Sequence, residues 1–421
     1  MAVVQLPYGH GVLEMDVPDV HLHTVLMGRG VPHVSLEDAF ERAWAAPIGV
    51  EDPSMLIRCG ERVVFVVTDH TRATPTAALF RLIWRHLRSR VRRDDVTLLV
   101  ATGTHRAPRE DELEAMFGDL RREFRVVIHD CDRDLIPVGR SPRGTPILVN
   151  RLVAEADRVL TIGHVGMHYY AGYSGGRKNI LPGVCGRATI AANHAQLLDS
   201  RCEGCVIDGN PIHEEMSAAA HLVSVDCIID VVFGPEGQVA KVVVGDVEDA
   251  HAEARKAWDA IFRVDVREPA DVVIASAGGH PKDIDLYQAY KALYNASRAV
   301  RDGGIVLLIA ACPDGLGDDV FRDWLFRCDD ASQVLQVLEE EGFVMGGHKA
   351  VYLARDLLRL EVHLKSELEP AVVNRLFLRP VESLESVLRI ARERFGKGFR
   401  VSVIPHAGDV FPRVDPPGDA R

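Results

Sequence analysis

The sequence predicts an α/β fold of two domains, each with a mainly parallel sheet, and an active-site cleft between them. Three observations predict it. Short, continuous β-branched runs recur, each leading into a helical pattern; polar residues gather just past the run ends; and the series restarts after 263–269. Runs that are apolar at every position suit strands buried on both faces, with helices covering the sheet.

Val63-Val64-Phe65-Val66-Val67-Thr68 is the first such run and precedes Asp69-His70-Thr71-Arg72. Val96 to Val100 precedes Ala101-Thr102-Gly103-Thr104-His105-Arg106, and Val159-Leu160-Thr161-Ile162 precedes Gly163-His164. In open α/β sheets this carboxyl edge is where ligands bind. Between 223 and 246 two β-rich runs flank Gly234-Pro235-Glu236-Gly237, a hairpin signal. A helical stretch from Glu248 to Phe262 follows, and Arg263 to Pro269 reads as an inter-domain connection. Val272 to Ala275, Ile305 to Ile309 and Arg400 to Ile404 form the second series, and Pro416-Pro417-Gly418 reads as a frayed tail. The domains are accordingly set at 1–265 and 266–421.

The chain has 421 residues and a formal charge of −12, with no lysine/arginine run, which argues against a nucleic-acid partner. No segment has the length and apolarity of a membrane span, and Met1 to Gln5 lacks the basic-then-apolar order of a signal peptide, so a cytoplasmic protein is expected. Of the eight cysteines only Cys202 and Cys205 form a C-x-x-C pair, and no second pair accompanies it. Reduced, mostly buried thiols are expected rather than a structural zinc site.

Three groups of residues could carry chemistry. The first is the histidines His105, His168 and His194, at predicted strand ends or beside glycines, where imidazole can act as a base or bind nickel, copper or zinc. The second is cationic: Arg72 stands three residues after Asp69, which a helical turn would place to orient the guanidinium, although a surface ion pair reads equally well. Thr102-Gly103-Thr104 offers an anion cradle at a helix start, and Arg177-Lys178 follows two glycines in Tyr169-Tyr170-Ala171-Gly172-Tyr173-Ser174-Gly175-Gly176. This spacing matches neither a Walker loop nor the dinucleotide glycine fingerprint. The third is a predicted helix, 285–294, which puts Tyr287, Lys291 and Tyr294 on one face with Gln288 adjoining. A solvated amphipathic face explains it as well as a ligand site does.

Together, Asp69 to Arg72, Thr102 to Arg106, His168 to Lys178, Ala192-Asn193-His194, Gly209 to Met216 and Tyr287 to Lys291 resemble, in order, the nickel-dependent lactate racemase family. Its members use a nickel-pincer nucleotide, pyridinium-3-thioamide-5-thiocarboxylic acid mononucleotide. The resemblance implies that Lys178 holds this cofactor covalently through a thioamide, that His194 is the protein's Ni(II) ligand, and that His105 and His168 are the acid/base pair. It also implies that Asp69, Thr102, Gly103, Thr104, Gly175, Gly176 and Arg177 line the cofactor, and that Arg72, Tyr287, Gln288 and Lys291 hold the substrate. The implied reaction is racemisation or epimerisation of a 2-hydroxy acid through hydride transfer to the cofactor and a 2-keto acid. One histidine on each side then follows from the stereochemistry. Cofactor-synthesis enzymes are the implied maturation partners; homo-oligomerisation is admitted but not specified.

Lactate-converting members carry a tryptophan late in the second domain. Gly346 to Tyr352 has none, and His348 or Tyr352 stands in that stretch, which opens the expectation to larger 2-hydroxy acids. Two other classes fit the residues alone: a non-catalytic binding protein for an anionic metabolite, and a zinc hydrolase, although no H-E-x-x-H set is present.

Overall fold

A computed structural model describes residues 2–414, the side chain of Leu384 excepted. Pro416-Pro417-Gly418 therefore lies outside the described residues. The chain forms two compact units, one of residues 30–261 and one of residues 2–29 with 262–414.

The first unit is built on a six-stranded sheet. Its order is Val239–Gly245, Val225–Phe233, Arg158–His164, Val63–Thr68, Val96–Ala101, Arg125–Ile128. All neighbours are parallel except the first pair, the hairpin expected around Gly234–Gly237. Val63 to Val67 are buried without alternation, as both faces carry apolar layers. Phe65, Leu98 and Ile162 pack with Phe80 and Ile83 of the helix Thr76–Leu87 and with Phe117.

The second unit has a wholly parallel six-stranded sheet, ordered Arg379–Pro380, Glu361–Lys365, Val300–Ile309, Ala270–Ser276, Val401–Ile404, Leu22–Val25. Its last strand corrects the expected domain boundary. Residues 2–29 belong here and not to the first unit, because Leu22–Val25 pairs with Val401–Ile404. The antiparallel pair Ala2–Tyr8 and Gly11–Val17 also buries Val4, Leu6 and Val17 against Ile274, Leu307 and Val403. A second correction concerns the stretch expected as a connection: Arg263–Val266 is a strand, parallel to Phe411–Val414.

Candidate active site

Arg158–His164, Val63–Thr68 and Val96–Ala101 are adjacent and parallel, so the loops that follow them share one sheet edge. Asp69 is the first residue past its strand and is buried. Its Oδ1 accepts from the Thr71 N–H at 3.1 Å and hydroxyl at 2.6 Å, and its Oδ2 lies 2.6 Å from His105 Nδ1. Burial alone would raise this carboxyl; the hydrogen bonds from His105 and Thr71 outweigh it and hold Asp69 below the usual carboxylate range. An ionised carboxylate there makes Nδ1 the donor and leaves the His105 lone pair on Nε2, on a ring whose side chain is 50 % exposed.

The expected pairing of Asp69 with Arg72 is thus replaced by pairing with His105. Residues 69–72 form a turn closed by the Arg72 N–H on the Asp69 carbonyl at 3.2 Å, and Arg72 is an exposed guanidinium donating to the Thr71 carbonyl at 3.4 Å.

In the Thr102-Gly103-Thr104 stretch, two of the expected donors are taken within the protein, and the expected helix start is absent. Thr102 is buried and its hydroxyl donates to the His129 carbonyl at 2.8 Å, while the Gly103 N–H donates to the Gly183 carbonyl at 2.9 Å. The stretch is a tight turn, with the next helix beginning only at Glu110. The His105 N–H closes it on the Thr102 carbonyl at 2.9 Å, and Thr104 stays part-buried.

The glycine-rich segment begins with a two-residue ladder, Met167–His168 against Gly172–Tyr173. The fold brings three of the expected residues to one ring. Tyr170 has the His168 ring at 4.3 Å, the His194 ring at 5.2 Å and Lys178 Nζ at 5.7 Å from its centroid. His168 Nδ1 accepts the Ala171 N–H at 3.4 Å. His194 is buried and ends the helix Arg187–His194. That helix end is pinned by Glu215, a buried carboxylate accepting from Asn193 and Gln196, and from Ser141 and Thr145 at 2.6 and 2.7 Å. Burial, reinforced by the charges of Arg72 and Arg177, pushes the Lys178 amine well below the ordinary lysine range.

Gly175, Gly176 and Arg177 turn inward, against the expectation that they line the cofactor. A Cβ at Gly175 would sit 2.6 Å from Val165 Cγ2 and 2.7 Å from Asp230 Oδ2, and the Gly176 N–H donates to Asp230 at 2.7 Å. The Arg177 guanidinium is wholly buried, with its donors committed within the protein, so it cannot meet a phosphate.

In the second unit, Asp285 caps the helix Leu286–Ala296 by accepting the Gln288 N–H at 2.6 Å. Lys291 Nζ donates to Gln288 Oε1 at 3.0 Å, and Tyr287 lies one turn before Lys291 on the same helix, whereas Tyr294 is buried. His348 lies 6.5 Å from the Tyr287 ring, whereas Tyr352 packs on Tyr294. Lys349, singled out by no sequence signal, is closer: it is buried with Nζ 3.4 Å from the Tyr287 ring centroid.

Among the described residues, the one His/Cys/Asp/Glu trio within ligand distance is Asp130, Cys131 and Asp132, which does not include His194. A metal at His194 would therefore need most of its donors from a non-protein group, and a zinc site built on protein ligands has no support there.

The lactate racemase N-terminal domain matches residues 8–204, and the lactate racemase C-terminal domain matches residues 266–411. The lactate racemase of Thermoanaerobacterium thermosaccharolyticum is 31% identical over 98% of this chain and 100% of its own length. The chain belongs to the lactate racemase family. It is accordingly an enzyme of the isomerase class. The family's lactate racemase from Lactiplantibacillus plantarum is 28% identical over 96% of this chain and 98% of its own. The solved apoprotein of the Thermoanaerobacterium lactate racemase superposes with a TM-score of 0.90, covering 98% of this chain and 100% of that one. A Thermotoga maritima structure, 19% identical with a TM-score of 0.65 over 92% of this chain and 100% of that one, shares the fold.

Proposed function

We propose that this family member is a cytoplasmic racemase or epimerase of a 2-hydroxy acid, lactate among the candidates, working with a Lys178-tethered nickel-pincer nucleotide. The observation that carries the reading is the single ring, Tyr170, around which His168, Lys178 and His194 gather. The donor set fits the group: one imidazole suited to Ni(II), and a lysine whose surroundings favour the free, nucleophilic amine. When bound, the nucleotide supplies the hydride acceptor, with His194 on its nickel and Lys178 as its covalent anchor.

The protein's own part is proton management and binding. His105, donating from Nδ1 to Asp69, offers an Nε2 lone pair to take the substrate hydroxyl proton. For the return step His168 starts as the imidazolium, gives its Nε2 proton to the forming alkoxide and ends neutral, the state in which its Nδ1 accepts from Ala171. A reaction that takes a proton on one side and returns it on the other thus begins with one ring neutral and the other protonated, and ends with the two states exchanged. In the reverse direction they exchange tasks. Arg72, Tyr287, Gln288 and Lys291 are read as the groups that hold the substrate carboxylate, the guanidinium as a fork and the others as single donors.

The test is to produce the chain with and without the cofactor-synthesis enzymes. The expected result is one nickel per chain and a covalent mass increment on Lys178 only when they are present. Loss of the α-hydrogen's stereochemistry should then be detected by optical rotation across a panel of chiral 2-hydroxy acids. An unmodified Lys178 from a host proficient in the cofactor would overturn the reading.

A further inference from the structure

Arg177 has no part in that chemistry, yet it is the largest fully buried side chain among those described. Its Nε donates to His213 Nδ1 at 2.6 Å, and Nη2 donates to the carbonyls of Ala171 and Tyr173 at 3.0 and 3.1 Å. Its Nη1 lies 2.9 Å from His251 Nε2. The partners come from three pieces of chain: the segment before the turn, the first turn of Pro211–Leu222 and the first turn of Asp249–Phe262.

The residues around Arg177 are pinned too. Gly176 gives its N–H to the buried Asp230, and Asn179 is buried with Nδ2 on the Ile162 carbonyl at 3.1 Å. Of the consecutive residues 176–179, Lys178 alone keeps part of its surface exposed. Taking a guanidinium out of water costs several kcal/mol, and a hydrocarbon of similar volume would fill the space without that cost. What the guanidinium adds is a planar fork that fixes the directions of several partners at once.

We infer that Arg177 is a positioning residue: by joining His213, His251 and the 171–173 backbone it fixes the Cα of Lys178, and so governs covalent modification of the lysine without touching the modifying group. The inference rests on the reading of Lys178 as the tether. Burial and the Arg177 charge push His213 down to about 2, which keeps its Nδ1 an acceptor at neutral pH.

The test uses the full chain with His213→Leu, which removes the acceptor, His213→Asn, whose amide oxygen can stand near Nδ1, and Arg177→Gln. Without cofactor-synthesis enzymes, amide hydrogen exchange in a peptide spanning 172–183 is expected to quicken about tenfold or more in His213→Leu and Arg177→Gln, with Val63–Thr68 unchanged. His213→Asn should restore most of the protection. With those enzymes, the fraction of Lys178 carrying the mass increment should fall in the same two variants and recover in His213→Asn. Should Arg177→Gln fail to fold, the His213 pair carries the comparison alone. Unchanged exchange, or faster exchange with undiminished modification, would overturn the inference. A parent chain that never carries the increment would refute the tether reading instead, and the exchange measurements would then decide whether Arg177 holds the turn.

Discussion

Asp69 shows how much one hydrogen bond settles and how little of it is visible in sequence. Its neighbour Arg72 was the natural partner by spacing, yet the carboxylate reaches His105, 36 residues on, because Val63–Thr68 and Val96–Ala101 lie side by side. The residue types at the sheet edge were legible; their pairing depended on strand order, which no local spacing encodes. The same holds for Arg177, which reads as a loop cation and is in fact a buried strut, and for Glu215, His213 and Asp230, whose roles exist only in three dimensions. Asp69→Asn keeps the shape but loses the charge that fixes the His105 proton on Nδ1. Loss of such an outer partner typically costs about 10–100-fold, and here it should fall mainly on kcat. Steady-state kinetics of the loaded enzyme checks this; a variant changed in KM alone would show Asp69 acting on substrate binding instead.

Elements were most legible where the chain is buried on both faces. The runs at 63–68, 96–101 and 270–276, the hairpin around Gly234–Gly237 and the helix Asp249–Phe262 follow from apolar continuity and turn chemistry. Leu22–Val25 was not legible, because four residues of partial burial at a sheet edge leave almost no pattern. The turn before Lys178 carries the residue read as the tether, and its glycine is required on two counts. Gly175 has φ 81°, in the left-handed region, and a Cβ there would meet Val165 at 2.6 Å and Asp230 at 2.7 Å. Gly237, with φ 78° and open space around it, carries only the conformational cost. Gly237→Ala should therefore lose about 1 kcal/mol, and Gly175→Ala about 2–3 kcal/mol. Urea unfolding of both variants checks the ordering, and equal losses would mean that the turn relaxes around the added methyl group.

At the scale of the whole molecule, both α/β units were legible, but the crossing of residues 2–29 into the second unit was not, since chain order says nothing of which sheet an edge strand joins. Burial within the units has a further consequence. It lowers His129, His164, His213, His251, His348, His363 and His406, with His164 brought to about 4 and His348 to about 3. A histidine depressed by folding is neutral in the fold but takes a proton near pH 6.5 once unfolded. Its stabilising contribution is therefore complete above pH 6.5 and is lost as pH falls toward its folded value. By pH 5 a group brought as low as His164 or His348 withdraws roughly 2 kcal/mol. Asp230, raised by burial to about 7, Asp356, raised by burial to about 6, and Asp285, also raised by burial, act in the opposite sense. The histidines outnumber them, and the surface carboxylates held down by arginines remain ionised until well below pH 5. The cofactor-free chain should thus lose stability between pH 7 and pH 5, seen as a lower urea midpoint at pH 5. A midpoint equal or higher there would mean that the raised carboxyls Asp230, Asp285 and Asp356, rather than the histidines, control the acid response of the fold.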